Sequence, residues 1–298
     1  MYIETPSGKG AGDENFPVGS RLIAARLRPH VAAFYAFARA ADDIADDPTL
    51  APEDKIARLD RFEAAISGHE TVDAALDKAH RLRRSLEASG VTERHAIDLL
   101  AAFKQDATKR RYADWGELMD YCERSANPVA RFMLDLHGES EHRYAASDAL
   151  CSALQIINHV QDVGRDYRAL DRVYVPLDWL AAEGVEVAAL AAPRANDGVR
   201  RVLDRCLDGV SDLLIRAAPL PDSLASTRLA MESAAIVRLA HRLVALLHPR
   251  DPLAERVVLT RRALLGHAAL GAAGALCRRA LGRRRADTTP LTLGGSKA

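Results

Sequence analysis

An all-α fold in a single domain is what the sequence predicts, and three observations carry it. Apolar residues recur at helical spacing along most of the chain, while few segments show the two-residue alternation of a strand. Hydrophobic residues make up 48% of the 298, enough for one large core. No Gly/Ser/Pro-rich linker or shift in composition interrupts the chain before residue 285. Residues 1–12 are expected to be flexible, 13–255 to form the main helical domain, 256–285 a basic and apolar C-terminal helix, and 286–298 a disordered tail.

In the first helix, Pro29 sits where an opening turn would begin, and the run from Val31 to Ala41 is apolar almost all round, as in a buried helix. It ends in acids: Asp42, Asp43, Asp46 and Asp47, with Pro48 closing the segment. Negative charge at a helix C-terminus opposes the macrodipole by about 0.3–1 kcal/mol per residue, and neighbouring carboxylates repel one another. Folding stability alone does not select such a cluster. Asp42 and Asp46 share one ridge, so a divalent cation bridging them to a ligand phosphate would give the placement a purpose.

Pro52 begins the next helix, with Glu53 and Asp54 in its first turn, a stripe of Ile56, Leu59, Phe62 and Ile66, and an end near Gly68. A helix over about 71–88 follows, with Leu76, Leu82 and Leu86 inside, Arg81, Arg83 and Arg84 outside, and Gly90 as its stop. Thr92 and Glu93 open another, in which Ile97, Leu100 and Phe103 pack and Asp106 follows one turn after Ala102. Lys109, Arg110 and Arg111 form a basic patch that reads either as steering for an anionic substrate or as ordinary surface charge. Asp114 then caps a long helix through Tyr121 and Leu136, stopped by Gly138 and bent where Pro128 removes a backbone hydrogen bond. By residue type alone Tyr121 reads more readily as a core tyrosine than as a catalytic one.

The segment Gln155 to Asp166 places Asn158, Asp162 and Asp166 at i, i+4 and i+8, beside a packed face of Leu150, Leu154, Ile157, Val160 and Val163. The ladder is either a solvated acidic face or a set of oxygen ligands for a hard cation such as Mg2+. The upstream acids favour the second reading, in which two facing helices clamp Mg2+ and a diphosphate. Arg172 offers paired donors to phosphate oxygens. Helices over about 197–217 and 222–247 complete the domain. Ala263 to Cys277 is an apolar run too short to span a bilayer and is followed by Arg278, Arg279 and Arg283 to Arg285. It either packs on the domain or lies on an anionic membrane surface.

Several chemistries are excluded at this stage. Lys plus Arg equals Asp plus Glu at 41 each, so no global charge argues for nucleic acid. The four cysteines form no Cys-x-x-Cys pair, which disfavours a zinc site or disulfide framework. No Walker, zincin or nucleophile-elbow motif occurs, and Gly271 to Gly274 lacks the dinucleotide pattern. The N-terminus lacks the basic and apolar regions of a secretory signal, so a cytoplasmic location is expected, peripheral at the inner membrane face only if the C-terminal helix lies on that surface rather than packing on the domain.

Asp-Asp-Ile-Ala-Asp at 42–46, Tyr-Cys-Glu-Arg-Ser-Ala-Asn-Pro-Val at 121–129 and Asn-His-Val-Gln-Asp-Val-Gly-Arg-Asp at 158–166, in this order and spacing, resemble the squalene/phytoene synthase family over roughly residues 13–255. Asp-Glu-Asn-Phe-Pro-Val-Gly-Ser at 13–20 and the block at 27–43 are most similar to its hydroxysqualene-forming branch in bacterial hopanoid biosynthesis. The resemblance implies an isoprenoid-synthase-type helical bundle around a central apolar cavity, closed at one end by the acidic helices. It implies presqualene diphosphate as substrate, Mg2+ as cofactor, and capture of the rearranged carbocation by water. Metal ligation would fall to Asp42, Asp43, Asp46, Asn158, Asp162 and Asp166, with Asp42, Asp46, Asp162, Asp166 and Tyr121 catalytic. Asn15, Phe16, Phe34, Phe37, Arg39, Ser125, Asn127, Gln155, Arg172 and Tyr174 would contact substrate. Asn15 stands where much of the family has the serine of a Ser-Phe pair, and Asn127 and Ala130 stand where relatives often carry glycine, which alters the expected pocket. Beyond the prenyl diphosphate, the expected partner is a downstream hydroxysqualene reductase that accepts the product. Head-to-head condensation to presqualene diphosphate, squalene or phytoene is the alternative within the class, and a non-catalytic helical assembly protein is the alternative outside it.

Overall fold

A computed structural model describes residues 22–71 and 73–287, with side chains through residue 281. The described residues form twelve α-helices and no strand beyond an isolated bridge between Arg111 and Val173. The helices are α1 (Arg28–Asp46), α2 (Pro52–Ser67), α3 (Asp77–Ser89), α4 (Arg94–Asp106), α5 (Trp115–Ser125) and α6 (Asn127–Leu136), then α7 (Tyr144–Leu170), α8 (Leu177–Ala182), α9 (Asp197–Ala217), α10 (Leu220–Ser223), α11 (Thr227–Leu247) and α12 (Arg261–Asp287). Local chemistry accounts for most boundaries. Gly68 and Gly90 end α2 and α3 with φ of +79° and +70°, a region that favours glycine. Asp114, Asn196 and Ser226 cap α5, α9 and α11 by accepting from the backbone N–H three residues on.

Three expected helices take a different form. The one expected from residue 71 begins at Asp77, after a 3-10 turn at Ala74–Leu76 in which Asp73 accepts from Ala75 N–H. The helix expected to bend at Pro128 is two helices, broken at Ala126 (φ −118°), and Pro128 falls in the first turn of α6 where its missing N–H costs nothing. The span 222–247 is likewise split, because Leu224 is extended and Ser226 caps a fresh start.

Two hydrophobic cores result. One gathers α1 to α4 around Phe37, Phe62, Leu82 and Leu100. The other gathers α5, α7, α8, α9 and α11 around Ile157, Val160, Leu207 and Leu243. α6 serves both, with Phe132 and Leu136 in the first and Leu134 in the second. α12 lies on α11 so closely that a Cβ at Gly271 would meet the Ala234 carbonyl oxygen at 2.6 Å. Among the described residues no helix is long and apolar enough to cross a membrane.

Candidate active site

A cavity of about 410 Å³ lies between the two cores. Val31, Phe34, Leu99 and Phe132 wall it from one side, Leu134, Leu150 and Leu229 from the other. Phe34 and Phe132 stack with ring centroids 4.1 Å apart. Arg39 and Asp42, from the last turns of α1, bring charge into the wall. Ser125, at the end of α5, also lines the cavity, and its buried hydroxyl has no partner within the protein.

The acids of α1 are held by two arginines. Arg39 pairs with Asp42 at 2.9 Å and Asp43 at 2.8 Å. Arg172, reaching from the loop after α7, pairs with Asp46 at 2.6 Å and donates to the Ala45 and Asp106 carbonyls. On α7, Arg165 pairs with Asp162 at 2.5 Å and lies 3.8 Å from Asp166. Asp42 keeps 34% side-chain exposure, yet burial of its surroundings and then the Asp46 charge push its carboxyl up to about 7. Asp166 rises to about 7 through burial, then Asp162, with Asp46 adding to the rise from α1. That last effect places the acids of α1 and α7 within electrostatic reach of each other.

Behind these acids lies a buried aromatic and polar group. Asp106, at the end of α4, accepts a hydrogen bond from Tyr121 at 2.8 Å, and burial pushes it up to about 7. Its other carboxyl oxygen is buried without a partner. Tyr121 packs near Tyr112, Tyr174 and His159, and His159 stacks on Tyr174 at 3.6 Å. Burial, then Arg172, lowers His159 to about 3, so it is neutral at physiological pH.

Of the residues expected at the site, Phe34, Arg39, Asp42 and Ser125 line the cavity. Phe37 does not: it is fully buried against Phe62, 5.8 Å between centroids, and its expected contact with substrate is corrected to a core contact. Asn127 is corrected likewise, because it is buried behind the wall and accepts from Ser152 Oγ at 3.0 Å. Tyr121, Gln155, Arg172 and Tyr174 stand off the cavity wall, and Tyr121, Arg172 and Tyr174 belong instead to the group behind the acids. Asn158 is half-buried on α7. Asn15 and Phe16 lie outside the described residues. Sequence reasoning missed His159, Tyr112, Ser147, Ser233 and Glu232, and noted Asp106 without assigning it a part. The available signal was a polar residue inside an apolar stripe, as with Asp106 after Leu99 and Ala102, or Glu232 between Leu229 and Ile236.

Among the described residues no three His, Cys, Asp or Glu side chains are already gathered closely enough to hold a metal ion. The chemistry of the donors nevertheless suits one. Carboxyls raised by burial and by each other are groups that a divalent cation would return to their ionised form, and an all-oxygen set matches a hard ion.

An apolar cavity with Arg39 and Asp42 in its wall, in an all-α bundle whose α7 carries a second acidic ladder, defines an enzyme of isoprenoid-synthase type. Residues 10–263 match the model of the squalene/phytoene synthase family. A hydroxysqualene synthase of Rhodopseudomonas palustris is 47% identical over 257 residues, covering 86% of this chain and 87% of the relative. Another, from Sinorhizobium fredii, is 43% identical, covering 91% and 92%. A solved squalene synthase from Alicyclobacillus acidocaldarius superimposes with a TM-score of 0.67 at 32% identity, covering 76% of this chain and 85% of that one. The chain belongs to the squalene/phytoene synthase family. That family acts on prenyl diphosphates and is in general dependent on divalent metal.

Proposed function

We propose that the chain converts presqualene diphosphate to hydroxysqualene with release of diphosphate, in a Mg2+-dependent reaction. The observation that carries this reading is an apolar cavity bounded by Arg39 and Asp42, with carboxyls raised to about 7 on both acidic helices. A hydrocarbon suits the apolar walls and a diphosphate suits the charged boundary. Asp42, Asp43 and Asp46 on α1, with Asn158, Asp162 and Asp166 on α7, would hold the metal. Bound there, Mg2+ would supply Lewis-acid stabilisation to the departing diphosphate. Arg39 and Arg172 now neutralise the α1 acids, and with those acids engaged elsewhere each guanidinium can donate to phosphate oxygens instead. The aromatic rings of Phe34 and Phe132 face the hydrocarbon, where an aromatic face stabilises positive charge.

The curated relatives at 47% and 43% identity favour water as the group that ends the reaction. The likeness to a solved squalene synthase supports a second reading, condensation of two prenyl diphosphates or hydride capture on the same site. Purified protein given presqualene diphosphate and Mg2+, without NADPH, should release diphosphate and a triterpene alcohol whose hydroxyl carries the label of isotopically enriched water. Squalene formed only with NADPH, or presqualene diphosphate as the sole product from farnesyl diphosphate, would establish the second reading. Exposed Leu265, Leu270 and Leu281 on α12 support peripheral contact with the membrane that supplies so apolar a substrate.

A further inference from the structure

The described cavity wall contains two carboxylates, Asp42 and Glu232. Asp42 is paired with Arg39 and belongs to the acidic helices, whereas Glu232 comes from α11, where it shares the cavity-facing stripe with Leu229, Ser233 and Ile236. Glu232 is 7% exposed. Packing alone would be served by a leucine at this place in the stripe. Beside Arg39 and the Cys151 thiol, the wall is otherwise polar at a few hydroxyls: Tyr35 comes from α1, Ser233 lies next to Glu232, Ser147 comes from α7, and Ser125 is buried with no partner in the protein. A water in an apolar cavity needs about two to four polar partners, and these groups are of the right kind to supply them.

We infer that Glu232 is the base that accepts the proton when water is captured, so that the α11 wall rather than the acidic helices makes the product an alcohol. The inference rests on the substrate reading above. Diphosphate has by then left with the electron pair of the broken C–O bond. A lone pair of the held water forms the new C–O bond to the cationic carbon, one O–H bond of that water breaks, and its proton passes to the Glu232 carboxylate. Without an acceptor at that place the oxonium formed by water addition reverts, and the cation ends by losing a proton from carbon.

The test is product partition by the full-length protein with presqualene diphosphate and Mg2+. Glu232→Gln should still release diphosphate, but its ratio of alcohol to hydrocarbon should fall by about 100-fold or more, the usual size of a lost general base. Glu232→Asp should recover much of the alcohol. Ser233→Ala, which changes no charge, should also lower the alcohol fraction and serves if the Gln variant does not fold. A Glu232→Gln protein with the wild-type product ratio would overturn the inference, as would one that loses diphosphate release together with the alcohol, or a folded Ser233→Ala protein with an unchanged ratio. A wild-type protein that released no diphosphate at all would instead overturn the substrate reading, and this inference with it.

Discussion

A carboxyl that burial holds near pH 7 costs the folded protein stability whenever it ionises, and Asp42, Asp106 and Asp166 are three such groups. In the unfolded chain an aspartate titrates at about 3.9. Below about pH 4 both states carry the proton and the contribution is fully present; as pH rises toward 7 the unfolded chain sheds protons that the folded one retains, and the contribution is lost. Without divalent cation, Tm should therefore decline between about pH 4 and 7, and Asp106→Asn, which still accepts from Tyr121, should flatten that decline. A cation binds the ionised acids, so Mg2+ should raise Tm more at pH 8 than at pH 5; an equal increment at both values would count against ligation by these residues. The acids were legible in the sequence because their spacing alone puts them on one ridge of a helix. Asp106 and Glu232 were not, because a lone acid in an apolar stripe becomes a site residue only through the helices that come to lie over it.

At the scale of elements, Gly164 explains why the second acidic helix carries a glycine in its middle. A Cβ there would lie 2.7 Å from Leu253 Cδ2 and 3.2 Å from the Leu190 carbonyl oxygen, so α7 rests directly on the chain beyond α8. Asp162 and Asp166 flank that contact by two residues on either side. Gly164→Ala should cost about 1–3 kcal/mol by overpacking, read from chemical denaturation, and should lower Mg2+-dependent turnover by moving the ladder. A variant as stable and active as the wild type would show that α7 can slide freely. Helices α2 and α9 were legible to within a residue or so, since Pro52, an acidic first turn and Gly68 mark the ends of α2 and Asp197 opens α9. The breaks at Ala126 and Leu224 were not. Both interrupt runs whose apolar spacing continues on either side, and at the first the buried bond from Ser152 to Asn127 helps fix the junction.

The described residues form two cores with a cavity along their shared boundary, an arrangement no single segment could disclose. Ala130, on α6, faces that cavity. Ala130→Phe should fill it, abolishing turnover while leaving Tm equal to or above the wild type, because the added ring removes apolar surface from water. Undiminished turnover would place the substrate elsewhere.

That boundary also bears on how the chain loses its structure. α6 packs into both cores, Arg172 ties the end of α1 to the loop after α7, and α4 meets α5 through Ala102 and the Tyr121–Asp106 hydrogen bond, but elsewhere along the boundary the cores face each other across space that a hydrocarbon is meant to occupy. Cooperativity between the two halves therefore depends on the occupant. With the cavity filled, the calorimetric and van't Hoff enthalpies of unfolding should coincide; without an occupant, the halves are free to melt at separate temperatures, and the substrate becomes the part of the core that the gene does not encode.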